Sequence, residues 1–147
     1  MKKIYLLISI ILFRHSFKAQ DFKLGESFKK YEKEFIIKGI SSTSNNKYYQ
    51  YNKTITKLIY NRVIDRLYVT TQENKITCYI YMLVPKFNDE GVPKDLIMSF
   101  EKEMNVKLKL HNGKYGIKGG GLLIQFSREA DPETKKDRIM FYTTISN

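Results

Sequence analysis

The chain is short of the residues on which much protein chemistry depends. It has one Cys, two His and no Trp in 147 residues. A single Cys excludes an intramolecular disulfide framework and any cysteine-cluster zinc site. Only three Pro and eight Gly are present, too few for a collagen-like or low-complexity chain. Acidic residues are also scarce, 15 against 26 Lys and Arg, which leaves a formal net charge of +11. No G-x-S-x-G nucleophile motif occurs. Gly119-Gly120-Gly121 lacks the Lys-Ser/Thr of a phosphate-cradling loop and precedes a strand pattern, so it reads as a turn. No carboxylates have calcium-loop spacing. The sequence therefore points to no catalytic, cofactor-binding or metal-binding residues.

What is present is a core. Leu, Ile, Val and Phe make up about 29% of the chain, and aromatics 14%, enough to bury one ordinary domain. The first twenty residues read as an address. Lys2 and Lys3 precede a run of about ten apolar residues, Ile4 to Phe13. That run is shorter than the roughly 20 residues a spanning helix needs and suits a signal-peptide core. Ala19 offers a small residue for cleavage, so the expected organisation is a signal peptide over 1–19 and one small domain over 20–147. The lysine start, short core and Ala19-Gln20 junction resemble a Gram-negative bacterial export signal. Cleavage would remove Lys2, Lys3, Arg14 and Lys18 and lower the net charge from +11 to +7. The expected location is periplasmic or secreted, with no stable membrane span after cleavage.

In the remaining chain Phe28, Tyr31 and Phe35 fall at i, i+3 and i+7 and predict a first helix over Glu26–Phe35. The run Ser41–Asn46 predicts a loop. Tyr48–Tyr60 and Val63–Thr71 read as β-rich. Ile76, Cys78, Ile80, Met82 and Val84 alternate with Thr77, Tyr79, Tyr81 and Leu83, the clearest strand pattern in the chain. A second helix is expected from about Pro93 to Met104, with Leu96, Ile97, Phe100 and Met104 as its apolar stripe. Asn112-Gly113 signals a hairpin. Leu122–Ser127 and Arg138–Ser146 read as later strands. These elements imply an α+β domain in the order α-βββ-α-βββ, with an antiparallel sheet and two helices packed on one face. The order of elements is broadly similar to small exported α+β domains of the envelope-assembly and protease- or lactamase-inhibitor type. No motif residue shares in that likeness, and no activity or site follows from it.

Cys78 shares its strand face with apolar residues and reads as a core thiol. After cleavage His111 is the one histidine left, so no histidine pair is available for acid/base work. The basic surface is the strongest remaining feature. Lys107, Lys109 and His111 share a strand face, with Lys114 across the turn, and the first β region interleaves lysines with tyrosines. The candidate binding surface is Tyr48, Tyr49, Tyr51, Tyr79, Tyr81, Lys107, Lys109, His111 and Lys114. Tyrosine suits interfaces because its ring is apolar and its tip polar. The expected function is a small exported, non-enzymatic binding protein that holds a protein partner or an anionic envelope component, with no nucleic acid as partner. The alternatives are a small secreted hydrolase using Asp, Glu, Lys or Tyr, and a polyanion-binding module for anionic lipid or lipopolysaccharide.

Overall fold

The computed structural model describes residues 23–146; the expected leader, 1–19, lies outside them. The described residues form nine strands: β1 Phe35–Ile40, β2 Lys47–Tyr51, β3 Leu58–Ile59, β4 Arg62–Gln72, β5 Lys75–Leu83, β6 Lys109–His111, β7 Lys114–Gly119, β8 Leu122–Ala130 and β9 Asp137–Ile145. The one α-helix among the described residues, α1, spans Lys94–Met104 between β5 and β6. Every strand pair is antiparallel, and the main path runs β1-β2-β4-β5-β9-β8-β7-β6, with β3 paired to β4 off it. The two halves of the chain thus meet where β5 pairs with β9.

This architecture corrects the expected two-helix α+β domain. The segment expected as the first helix forms two 3-10 turns, Phe28–Lys30 and Glu32–Glu34, and Phe35 already begins β1. The apolar spacing identified a shared face correctly, for Phe28 and Phe35 meet edge to face at 5.2 Å. The face is not that of a helix. The Phe28 amide donates to the Asn74 carbonyl and the Ile76 amide to that of Glu26, so the backbone is tied to the sheet before a helix can propagate. β-branched Ile36 and Ile37 then favour strand.

Two-residue turns set the register. Tyr60-Asn61, Glu73-Asn74, Asn112-Gly113 and Gly120-Gly121 each join paired strands, and all eight residues have positive φ. That geometry matches the right-handed twist of the flanking strands. The longer loops after β1 and β8 close alike. Ser41 N–H donates to the Asn46 carbonyl and Asp131 N–H to that of Lys136, with Asn45 and Lys135 left-handed.

Cross-strand pairing sorts the side chains into rows. One sheet face carries Leu67, Tyr81, Phe141 and Phe126 in one row, and Val69, Tyr79, Thr143 and Ile124 in the next. The α1 stripe of Leu96, Ile97, Phe100 and Met104 is buried in the same core cluster. Phe100 meets Phe126 at 5.1 Å and Phe141 at 5.7 Å, while Phe126 and Phe141 stack at 4.5 Å. On the other half, Phe28 packs on Tyr49 at 4.4 Å. Asn105, in the left-handed conformation, ends the helix.

The pattern of β5 is corrected too. A bulge across Thr70 and Thr71 inserts one residue, so Ile76 pairs with Thr71 and Cys78 with Thr70. An inserted residue flips the faces beyond it. Tyr81 and Leu83 therefore lie in the core cluster and Tyr79 packs against it, whereas Cys78 and Ile80 are half-buried on the second face.

One charged group organises the helix entry. Arg62 begins β4, and its side chain is wholly buried. Its guanidinium donates to the Asp89 carboxylate at 3.0 Å, the Asp95 carboxylate at 3.0 Å and the Tyr60 carbonyl at 3.3 Å. Arg62→Met should cost about 3–5 kcal/mol in denaturant unfolding, because it strands Asp89 in a largely buried position. A loss below about 1 kcal/mol would mean the clamp is unimportant. The Arg62 hydrogen bond holds the Asp95 carboxyl below its usual range. Its contribution is therefore complete above the unfolded carboxyl value near 3.9 and is lost as pH falls through the lower folded value. In Arg62→Met that part of the acid dependence should vanish.

Candidate functional site

The structure divides the tyrosines of the sequence-derived surface. Tyr49 and Tyr81 are buried on the helix side, and Tyr51 and Tyr79 are half-buried against the same core. Tyr79 and Tyr81 touch each other edge to face at 5.8 Å, and burial raises both phenols, so both remain neutral at physiological pH. Tyr48 alone is exposed, and it belongs to the second face. Of the basic members, Lys109 and His111 lie on one strand, whereas Lys107, expected on the same strand face, precedes the strand. Lys109 and His111 form β6 with Leu110, and Lys114 pairs opposite His111 while bonding Glu129 at 3.1 Å. Lys107 lies just before β6, and its ammonium bonds Glu101 at 2.9 Å.

The two edges of the sheet contrast. An edge strand presents unpaired N–H and C=O groups and invites another strand unless it is guarded. β6 is short and exposed throughout, and it carries Lys109, a cationic guard, with Lys114 opposite on β7. β1 carries the opposite chemistry. Ile36, Ile37 and Ile40 are 46%, 54% and 61% exposed, on a six-residue strand. Its one cation, Lys38, bonds Glu133 at 3.0 Å and is drawn away from the edge. A register shift between Ile37 and Gly39 is the remaining irregularity. Reading the sequence as a helix ending at Phe35 hid this edge. The signal was the pair of β-branched residues before Gly39.

The second face carries rows of mixed polarity: Thr70, Cys78, Thr144, Leu123; then Tyr68, Ile80, Tyr142, Gln125; then Arg66, Met82, Met140, Ser127. Cys78 is half-buried there, not in the core cluster, and burial pushes its thiol up to about 11. At one end of this face Arg66 reaches Tyr68, Glu133 and the buried Asp131, and Arg138 reaches Asp65 at 2.9 Å.

The carboxylates show what this arrangement can do chemically. Every acid with a displaced pKa, namely Glu26, Asp95, Glu101, Glu129, Asp131, Glu133 and Asp137, is displaced downward. For Asp131 burial opposes ionisation, but the Thr134 hydroxyl, backbone N–H groups and Arg66 outweigh it. Glu133 is lowered chiefly by Lys38, and Asp137 chiefly by Arg128. A general acid at neutral pH needs the opposite displacement. Among the described residues no group of three or more His, Cys, Asp and Glu is placed to hold a metal ion, and no helix is long and apolar enough to cross a membrane.

Phe87 is fully exposed between Lys86 and Asn88, in a turn closed by the Asp89 amide on the Lys86 carbonyl at 3.1 Å. No protein family, curated protein or solved structure matches this chain.

Cys78 gives the check on this account. With its thiol near 11, alkylation by iodoacetamide at pH 8 should run on the order of a hundredfold slower than for an ordinary exposed thiol. Alkylation at the ordinary rate would show that the second face is open at Cys78.

Proposed function

We propose that this is a small exported, non-enzymatic binding protein whose β1 edge accepts an extended strand from a protein partner. The observation that carries the reading is the unguarded apolar edge: Ile36, Ile37 and Ile40 exposed, with Lys38 engaged by Glu133. A strand added there gains main-chain hydrogen bonds for affinity, while the isoleucines on the two faces select apolar side chains. The downward displacement of the carboxyls supports binding over hydrolysis, since no such group is held ready as a proton donor. Export rests on the composition of residues 1–19. The net charge of +7 left after cleavage would hasten approach to an acidic partner without fixing the docked geometry.

Placing the cationic guard of β6 onto β1 tests this. Ile37→Lys with Ile40→Lys should leave the melting temperature within about 2 °C, because both side chains are exposed. The double variant should lose the protein captured by the parent from envelope extract in about 0.5 M salt, where exposed charge pairs are screened. Leu110→Lys, on the opposite edge, should retain it, and the parent complex should protect β1 amides from hydrogen exchange. Capture that survives the β1 double variant, or that high salt abolishes in the parent, would overturn the reading.

A further inference from the structure

The end of the sheet at which β4 begins carries apolar groups that the strand-binding reading does not use. Leu58 and Val63 form a cross-strand pair, and both are exposed. The Val84 amide donates to the Val63 carbonyl at 2.9 Å, so the segment leading to Phe87 leaves the sheet beside that pair. Phe87 then occupies the tip of the Lys86–Asp89 turn.

That turn is firmly mounted. The Lys86 amide donates to the Asp89 carboxylate at 2.8 Å, and the Asp89 amide returns to the Lys86 carbonyl. The same carboxylate is gripped by the buried Arg62. An aromatic ring is therefore held away from the protein on a short, doubly closed turn that is anchored by a buried ion pair. The surroundings are cationic and apolar. Lys57, Lys86 and Lys94 are exposed. Of the acids in the stretch, Asp89 and Asp95 are engaged by Arg62, and Asp95, itself exposed, also lies 4.0 Å from the Lys86 ammonium, a loose pair that phosphate would replace; Glu90 is the remaining acid.

We propose that this end of the molecule rests on an anionic phospholipid surface, with Phe87 entering the boundary between headgroups and acyl chains and Lys57, Lys86 and Lys94 meeting the phosphates. The shape favours lipid over a folded partner. A protein would have to offer a pocket for a protruding ring, whereas a bilayer accepts a convex apolar tip anywhere on its surface. Long lysine side chains can lay their stems along the apolar tip and hold their ammonium groups at headgroup level. An exposed aromatic flanked in the chain by exposed lysines and aliphatic residues is the composition of an interfacial contact. The net charge of +11, or +7 without the leader, adds long-range attraction to such a surface. The contact lies apart from β1 and is independent of the strand-binding reading.

The chain contains no Trp, so Phe87→Trp introduces a single indole at the tip. Leu110→Trp, on exposed β6, is the matched control. Both are made in the full chain and titrated with vesicles of phosphatidylglycerol and phosphatidylethanolamine, with and without brominated acyl chains. Emission of Phe87→Trp should shift to shorter wavelength and be quenched by brominated lipid, while Leu110→Trp keeps its aqueous spectrum. Lys57→Glu with Lys86→Glu, in the Phe87→Trp background, should raise the half-saturating lipid concentration about tenfold or more. The proposal is overturned if Phe87→Trp keeps an aqueous spectrum on lipid. It is also overturned if both indoles are quenched equally, since attachment would then lie elsewhere, for example in the apolar run of residues 4–13. A spectral shift produced by added envelope protein but not by lipid would instead assign the tip to a protein.

Discussion

Arg62 is a cation without water at the point where three parts of the chain converge. Burying an unpaired guanidinium is too costly to persist, so its surroundings must supply acceptors. They come from the start of α1 through Asp95, from the connecting loop through Asp89, and from the preceding turn through the Tyr60 carbonyl. Each acceptor fixes the backbone that carries it. Asp95 also places a negative charge in the first turn of α1, where the helix dipole favours it. The direction in which α1 leaves this corner brings Phe100 over the Phe126–Phe141 stack. One buried charge thus ties the start of the helix to the start of β4 and to the loop between them, on the face where the apolar rows of the sheet lie.

The two sheet faces differ in composition. The helix side takes large apolar groups in continuous rows across β4, β5, β9 and β8, and Phe28 closes the part of the sheet near β1 and β2. The second face keeps Thr, Tyr, Met, Cys and Gln, with its charges paired among Arg66, Arg138, Asp65, Asp131 and Glu133. Hydrogen bonds and these ion pairs hold the Asp131 and Glu133 carboxyls below their usual range. In this protein charge serves mainly to place backbone: Arg62 holds a helix and a turn, and Arg128 bonds Asp137 and reaches the carbonyl groups of Asp89 and Gly91.

The legible parts of the fold were those governed by local chemistry. Pro93 and the stripe Leu96, Ile97, Phe100, Met104 marked α1, and Asn112-Gly113 marked its hairpin, because these residues fix dihedrals without outside help. The strap at Phe28 was misread because its apolar spacing is fixed by contacts with Tyr49 and Phe35, and spacing alone does not distinguish a helix face from a strap. The face of Tyr79 and Tyr81 was misassigned because a bulge depends on the partner strand, which the sequence does not name. Tyr60-Asn61 gave no usual turn signal, since a tyrosine at positive φ occurs only when tertiary packing imposes it. Of the candidate surface, the placement of Lys109 and His111 on one strand with Lys114 across the turn was readable from alternation, and that of Lys107 outside the strand was not. The burial of Tyr49 and Tyr81 required knowledge of what covers them. The β1 edge was hidden by the same error that produced the first helix.

The contrast between the edges now acquires a physical meaning. A two-edged antiparallel sheet risks joining other sheets at both ends, and the usual remedy is charge on the edge strand. β6 follows it with Lys109. If β1 were equally in need of protection, a lysine in place of Ile36, Ile37 or Ile40 would provide it at little cost in folding, because each of these side chains is already largely in water. Instead the strand's single lysine is bound to Glu133 across a different loop. On the proposed reading, shielding one edge while leaving the other apolar would direct strand addition to a single place, a property that suits a binding module better than an inert scaffold.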